Sequence, residues 1–102
     1  MININQVITS QHHRSEDIVQ EKINWIKEQN ITEIELPVYE IGIDDLYLLA
    51  DGHHRYEAAQ ELEINILFKV VRQPEDLTGI NLLEQFVNDG QYHYLLSELP
   101  VW

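Results

Sequence analysis

The sequence predicts a small α/β domain in which a mixed β-sheet is flanked by helices. Apolar residues alternate or run together over four short segments, which is typical of β-strands. Three other segments have helix-favouring composition or apolar residues at helical spacing. The resulting order is strand, helix, strand, strand, helix, strand, helix, which is that of a layered α/β fold. Since the chain has 102 residues, we expect residues 1–102 to form one domain with a modest core.

The first strand and the first helix are predicted from residues 2–30. Apolar residues alternate loosely over residues 2–8, which favours a strand. Ser15 is a good helix N-cap, and acidic residues at positions 16 and 17 suit the positive end of the helix dipole. At about 100° per residue, the apolar side chains of this helix fall within an arc of about 160°. These side chains, all expected to face the core, are Ile18, Val19, Ile23, Trp25 and Ile26.

Two strands are predicted in the middle of the chain. The first covers residues 36–41 and contains Pro37, which has no N–H to donate, so we expect this strand to lie at a sheet edge or to begin there. A turn follows at residues 42–45. The continuous apolar run of residues 46–50 then indicates a strand buried on both faces.

The second half of the chain completes the predicted order. Residues 53–63 are rich in helix formers, and residues 64–70 alternate between apolar and polar side chains as a strand does. Residues 80–88 have the spacing of an amphipathic helix. Residues 91–102 fit either a strand or a docked helical turn. Together with the helix over residues 80–88, we expect residues 72–102 to form a C-terminal helical extension.

Charge and composition exclude several classes of function. The chain has 18 acidic and 6 basic residues and a net charge of −12, which disfavours binding to DNA and to anionic membranes. It has no cysteine, so disulfides, thiolate zinc sites and a cysteine nucleophile are excluded. We find neither an apolar run of about 20 residues nor a signal peptide, and therefore expect a cytoplasmic protein without a membrane span.

The turn after the buried strand has the features of an anion site. Asp51-Gly52 ends the strand, and His53-His54-Arg55 opens the next helix. The first N–H groups of a helix have no partner within it, and the helix dipole places partial positive charge there. Glycine allows a ligand to approach the backbone closely. A phosphate is the natural ligand for such a helix start.

Arg55 and Asp51 are the side chains that would complete this site. Arg55, Ala59 and Leu62 share one helical face, so Arg55 is expected to point inward at the mouth of the sheet. A guanidinium in that position requires an anionic partner or ligand. Asp51 could hold a Mg²⁺ that bridges phosphates. In the alternative interpretation, Arg55 pairs with Asp51 or Glu16 and the histidines are solvated.

The segment Leu48-Leu49-Ala50-Asp51-Gly52-His53-His54-Arg55-Tyr56-Glu57-Ala58-Ala59 resembles the signature of the ParB/sulfiredoxin-like superfamily. The resemblance extends over residues 5–71 and implies the fold of that superfamily. It also implies that a nucleotide phosphate is held at this loop and helix start. Members include CTP-binding partition proteins, sulfiredoxins, nuclease-like proteins and a free-serine kinase, so the signature is more specific for fold than for activity.

The branches of the superfamily differ at single positions. Sulfiredoxins need a cysteine where His53 stands, and the partition proteins carry an arginine-rich motif of which Arg55 alone is present. The serine-kinase branch uses the same Asp-Gly-His-His-Arg string, and it implies a glutamate general base at the position of Glu16. By that resemblance, Asp51 organises Mg²⁺ or the accepting hydroxyl. Residues 52–55 would then bind the phosphates of ATP, ADP or CTP.

These residues therefore lead to three hypotheses. The first is a nucleotide-binding domain, with action as a small phosphotransferase as its further option. The second is a non-catalytic interaction module of a partition, plasmid, phage or defence system, with a protein partner bound through residues 80–102. The third is a nuclease-like member, which the negative field disfavours. A transition-metal site would need His12 or His13 beside His54 and Asp51, because adjacent histidines on a helix diverge.

Overall fold

The computed structural model describes residues 2–102. In this part of the chain, five β-strands form one mixed sheet, and three α-helices flank it. The elements are β1 Val7–Thr9, α1 Glu16–Glu28, β2 Glu33–Glu40, β3 Tyr47–Leu49, α2 His53–Leu62, β4 Asn65–Val70, α3 Gly79–Gln85 and β5 His93–Tyr94. Short 3₁₀ helices occupy Ile4–Gln6 and Pro74–Asp76. The predicted α/β class with a mixed sheet is confirmed. Within residues 2–102, no helix combines the length and apolar character of a membrane span.

The sheet has the strand order β4-β2-β3-β1-β5. β1 runs parallel to β3, and β2 runs parallel to β4. β2 and β3 are antiparallel, as are β1 and β5. Because β1 and β3 are parallel neighbours, the loops that follow them emerge at the same edge of the sheet.

The two faces of the sheet carry separate apolar clusters. One cluster lies between the sheet and α2 and contains the buried residues Val7, Ile34, Leu36, Val38, Leu49, Tyr56, Ala59 and Leu95. The other lies beneath α3 and contains Ile8, Ile41, Leu46, Leu48 and Leu82. Leu48 and Leu49 are both buried and belong to opposite clusters. The prediction that this strand is buried on both faces is confirmed.

Helix α1 begins where the sequence predicts and packs through a narrower face. The Ser15 side chain accepts a hydrogen bond from the Ile18 N–H, which caps the helix. Ile23 and Ile26 are buried against Ala58 of α2, whereas Ile18 and Trp25 are 38% and 43% exposed. The buried side chains span an arc of only about 60°, because α1 packs mainly against α2. The prediction that Trp25 belongs to the core is wrong.

The N-terminal strand is shorter than the sequence indicates. Residues 4–6 form a 3₁₀ turn, and only residues 7–9 pair in the sheet. The Asn3 side chain accepts a hydrogen bond from the Asn5 N–H at 2.9 Å, and the Gln6 side chain accepts one from the Asn3 N–H at 3.1 Å. Such local side-chain hydrogen bonds compete with strand pairing. The predicted strand over residues 2–8 is therefore correct only at its end.

Pro37 lies in β2, which is flanked by β3 and β4, so the prediction of an edge strand is wrong. Its carbonyl accepts a hydrogen bond from the Ala50 N–H at 2.9 Å. In an antiparallel pair, the N–H and C=O of one residue point to the same neighbour. The missing N–H of Pro37 therefore faces Ala50, one residue beyond the end of β3. The proline removes only a terminal hydrogen bond of that ladder.

The C-terminal segment is part of the sheet. The predicted helix over residues 80–88 is present as α3, and β5 pairs with β1. The Leu95 N–H donates to the Val7 carbonyl at 2.9 Å, which continues this contact. The prediction of a helical extension over residues 72–102 is therefore incomplete. These residues contain a helix, and they also supply an edge strand of the sheet.

The turn between β3 and α2 requires glycine for two separate reasons. Gly52 has φ +93°, and an added methyl group would lie 2.7 Å from Leu36 Cδ2. Gly42 has a similar φ of +84° but nothing within 4 Å of such a methyl group. Leu36 is fully buried, so it has little room to move.

We therefore expect Gly52→Ala to lower the free energy of unfolding by about 1–3 kcal/mol more than Gly42→Ala does. Both variants strain the backbone at positive φ, and only the first overpacks the core. Urea unfolding followed by circular dichroism measures the difference. Equal losses in the two variants would contradict a packing constraint at Gly52.

Candidate functional site

The candidate site lies at the sheet edge where β1 and β3 end. Residues 10–15 lead from β1 into α1, and residues 50–52 lead from β3 into α2. Gly52 is the N-cap of α2, with φ 93° and ψ 24°, and no side chain caps the helix. The first N–H groups of α2 are consequently without a side-chain acceptor, as an anion site requires.

Arg55 lies directly over this helix start. Its Nη2 would be 2.9 Å from a methyl group on Gly52, so the guanidinium lies close to this glycine, on the side where a Cβ would project. The Arg55 side chain is 31% exposed, and its Nη2 is 4.0 Å from Asp51 Oδ2. Asp51 is itself 83% exposed, and its Oδ1 accepts the Gly52 N–H at 2.8 Å. The long, solvated ion pair leaves Arg55 available to a ligand.

A cavity of about 370 Å³ opens beside this guanidinium. We call it the Arg55 cavity, and it is lined by Gln11, Ile18, Lys22, Asp51, Gly52, His53, His54 and Arg55. The structure thus brings together all five sequence-predicted residues from 51 to 55. It adds Lys22 of α1, a second cation that the sequence interpretation missed. No local pattern marks Lys22, because only the packing of α1 on α2 places it there.

His53 is a neutral member of this cavity. Its Nε2 lies 2.7 Å from the Thr9 hydroxyl oxygen, which ties the start of α2 to the end of β1. Burial, together with the positive charge of Arg14, lowers the pKa of His53 to about 4. The imidazole is therefore uncharged at neutral pH and can contribute a hydrogen bond to an anion but no positive charge.

His54 joins the two helix starts. Its Nε2 accepts a hydrogen bond from the Ser15 N–H at 3.2 Å. This contact places the proton of the neutral ring on Nδ1. The alternative interpretation expects His53 and His54 to be solvated. Both side chains are partly buried, so this expectation is wrong.

Glu16 does not join Asp51. It lines a different cavity of about 720 Å³ between α1 and α2, which we call the Arg14 cavity, formed by Arg14, Glu16, Val19, Gln20, Ile23, Glu57, Gln60 and Glu61. Ile18, which lines the Arg55 cavity, is two residues further along α1, and its side chain therefore projects about 160° away from that of Glu16. The two residues predicted to be catalytic thus lie at separate cavities.

Arg14 is a functional candidate that the sequence interpretation did not single out. Its side chain is 16% exposed, and its Nε lies 3.6 Å from Glu57 Oε1. Its Nη1 donates to the carbonyls of Gln11 and His13. The sequence feature that could have pointed to Arg14 is the tripeptide His-His-Arg, which occurs at residues 12–14 and again at residues 53–55. Three of the six basic residues of the chain therefore line the two cavities beside α1.

The structure assembles no transition-metal site in residues 2–102, where no three His, Cys, Asp or Glu side chains are close enough to share an ion. The His12 ring instead packs against His93, with ring centroids 4.3 Å apart, and its Nε2 lies 2.8 Å from the Gln91 carbonyl oxygen. The composite site of His12 or His13 with His54 and Asp51 is therefore not formed.

The segment after α3 holds the loop that follows β1. The Asp89 carboxylate accepts hydrogen bonds from the N–H groups of His12 and His13, at 2.6 and 3.0 Å. These backbone hydrogen bonds lower the pKa of Asp89. The Asn88 N–H donates to the Ser10 hydroxyl at 2.7 Å. The C-terminal segment thus fixes the loop that carries Gln11 to the Arg55 cavity, a role that the sequence did not indicate.

Comparison with known proteins gives one partial similarity. No protein-family model matches the chain, and no solved structure matches it. The chain is 29% identical over 66 residues to ribonuclease Z of Picrophilus torridus, a match that covers 63% of this chain. The chain spans only about a fifth of that protein, since the match covers 21% of its length.

The low pKa of His53 has a consequence for stability. The ordinary pKa of histidine is about 6.5, so the unfolded chain takes up the proton first as the pH falls. The free energy of unfolding should therefore fall between about pH 6.5 and pH 4, below which the folded protein is protonated too.

We expect His53→Gln to lose this part of the pH dependence, because glutamine does not titrate. The difference in unfolding free energy between wild type and variant should change by about 2 kcal/mol from pH 7 to pH 4.5, allowing for partial solvent screening. Denaturant unfolding at several pH values tests this. A difference that is constant over the range would contradict a buried neutral imidazole.

Proposed function

We propose that this chain is a ParB/sulfiredoxin-like domain that binds the phosphates of a nucleotide in the Arg55 cavity. The supporting observation is the position of the Arg55 guanidinium beside Gly52, at a helix start that no side chain caps. The motif residues that carry the resemblance lie at the turn from a buried strand into a helix, where the resemblance implies a phosphate site. Phosphate oxygens would accept from the first N–H groups of α2 and from the guanidinium.

The charge distribution supports an anionic ligand. Within a chain of net charge −12, Arg55 and Lys22 face the same cavity, and their side-chain N–H groups donate no hydrogen bond to another residue in the described part of the chain. The nearest carboxylate oxygen to Arg55 is 4.0 Å away. A phosphate would satisfy both cations, since charge-assisted hydrogen bonds contribute about 1.5–3 kcal/mol each.

Asp51 fits a role as the protein ligand of Mg²⁺ bound to the nucleotide. One of its oxygens accepts the Gly52 N–H, and the other points to Arg55 at 4.0 Å. Mg²⁺ in nucleotide sites is commonly held by one or two carboxylates together with phosphate oxygens and water. A single exposed carboxylate is sufficient for this arrangement, and Mg²⁺ would neutralise part of the phosphate charge.

Phosphoryl transfer is supported less well than binding. A general base must lie within hydrogen-bond reach of the proton it accepts. Glu16 lies at the Arg14 cavity, on the other flank of α1 from the proposed phosphate site. Of the two residues that the resemblance implies to be catalytic, only Asp51 lies beside the proposed phosphates. We therefore propose nucleotide binding as the function.

The name of the relative, ribonuclease Z, would suit the nuclease-like hypothesis. The similarity covers a fifth of that protein, so its activity does not transfer with it. A net charge of −12 also repels the phosphate backbone of a nucleic acid. A small nucleotide avoids most of this repulsion, because it contacts only the local cluster of cations.

Isothermal titration calorimetry with ATP, ADP and CTP, each with Mg²⁺, tests the proposal. We expect binding by the wild type and a loss of about 10- to 100-fold in affinity for Arg55→Ala, because a charge-assisted contact is removed. Arg72→Ala is the matched control, since Arg72 is exposed and pairs with Asp76 at 3.0 Å outside the cavity. Equal losses in the two variants, or no heat with any nucleotide, would contradict the proposal.

Exposed apolar side chains near the C-terminus favour a second function, the docking of a protein partner. Five of them are between 47% and 66% exposed: Ile80, Val87, Leu96, Leu99 and Trp102. Residues 73–102 contain five acidic and no basic residues. Exposed apolar side chains in an acidic segment fit a partner segment that combines apolar side chains with lysine or arginine.

An amphipathic peptide of leucine and lysine at helical spacing is a suitable probe for this surface. We expect Leu99→Ser to weaken its binding by about fivefold or more, because an exposed anchor is lost. Leu67→Ser, at a residue of β4 that is 38% exposed, is the matched control. If calorimetry finds that both variants bind as tightly as the wild type, attraction by net charge alone explains the binding. Equal weakening in both variants would show no preference for the C-terminal segment, and either result would contradict docking there.

A further inference from the structure

We infer that the Arg55 cavity recognises its ligand by phosphate charge and does not discriminate between nucleobases. Its ligand class is then any nucleoside di- or triphosphate, together with inorganic pyrophosphate and tripolyphosphate. This inference rests on the proposed function, because it concerns the same site. Three observations about the residues around the cavity carry it.

The first observation concerns stacking. Among the eight lining residues, Ile18 is the one aliphatic side chain large enough to contact a base, and no phenylalanine, tyrosine or tryptophan lines the cavity. Phe86 lines an adjoining cavity of about 140 Å³, and its ring packs against Tyr39 with centroids 5.3 Å apart. A volume of that size is below the range of about 300–1,000 Å³ for small-molecule pockets. The aromatic surface that remains is that of the His53 and His54 rings, which are partly buried and held by hydrogen bonds to Thr9 and Ser15. A nucleobase therefore finds no phenylalanine, tyrosine or tryptophan to stack on in this cavity.

The second observation concerns base reading, which requires fixed donors and acceptors. The neutral polar side chains of the cavity already bond to the protein. The Gln11 amide donates to the His13 carbonyl at 3.3 Å and accepts from Asn88 at 3.5 Å. His53 bonds to Thr9, and His54 accepts the Ser15 N–H. Each histidine keeps one nitrogen, which is too little to read the edge of a base.

The third observation concerns the unused donors. Arg55 carries five N–H groups and Lys22 carries three, and none of them donates to another residue in the described part of the chain. Most of the unmet hydrogen-bonding capacity of the cavity therefore belongs to cations. Because such donors prefer anionic oxygens, the phosphates determine affinity and the nucleoside extends toward solvent.

Calorimetric titration of the full chain with ATP, GTP, CTP and tripolyphosphate, at one ionic strength and both with and without Mg²⁺, tests this inference. We expect the Kd values of the three nucleotides to agree within about threefold. Tripolyphosphate should bind at least as tightly and displace ATP with a stoichiometry of one. Arg55→Ala and Lys22→Ala should weaken all four ligands by similar factors, and Arg72→Ala should leave all four unchanged.

The possible outcomes separate this inference from the proposed function. A preference of more than about tenfold for one base, or tripolyphosphate that does not displace ATP, would overturn the inference and leave nucleotide binding intact. No binding of any of the four ligands would overturn both. An equal loss in Arg72→Ala and Arg55→Ala would show diffuse attraction of polyanions, and would also overturn both.

Discussion

The parallel pairing of β1 with β3 is the constraint on which the site depends. The two strands pair through Val7 with Tyr47 and Ile8 with Leu48, at the centre of the sheet. Because they run in the same direction, the loops that lead into α1 and α2 begin at the same edge. The hydrogen bond from Ser15 to His54 then joins the two helix starts. Without this pairing, Lys22 and Arg55 would not face one cavity.

The distribution of charge within this arrangement is uneven. The chain is strongly acidic, yet half of its basic residues lie at this edge. Arg14 is partly neutralised by Glu57 at 3.6 Å, whereas Arg55 has a carboxylate only at 4.0 Å and Lys22 has none within ion-pair distance in the described residues. Cations held together with few partners repel one another, and a bound anion relieves that repulsion. Burial keeps His53 neutral by lowering its pKa. The positive charge of the Arg55 cavity therefore comes from Lys22 and Arg55.

The C-terminal third of the chain contributes to the site although it lies outside the region of resemblance. β5 pairs with β1, and Asp89 fixes the backbone of residues 12 and 13. Gly90 allows this contact, because an added methyl group would collide with the His12 ring. The walls of the cavity are therefore built from two separate parts of the chain, residues 11–22 and residues 51–55. A third part supports the first of these through Asn88 and Asp89.

The sequence by itself determined the elements whose signals are local. The cap at Ser15, the doubly buried strand and the start of α2 after Gly52 each follow from adjacent residues, and all are present. Tertiary structure decided which flank of α1 faces α2, and this placed Lys22 in the Arg55 cavity and Glu16 outside it. It also decided that Pro37 lies in an internal strand. The reason is physical: helix and strand periodicity fix which residues share a face, but packing between segments distant in the chain selects the neighbour of each face.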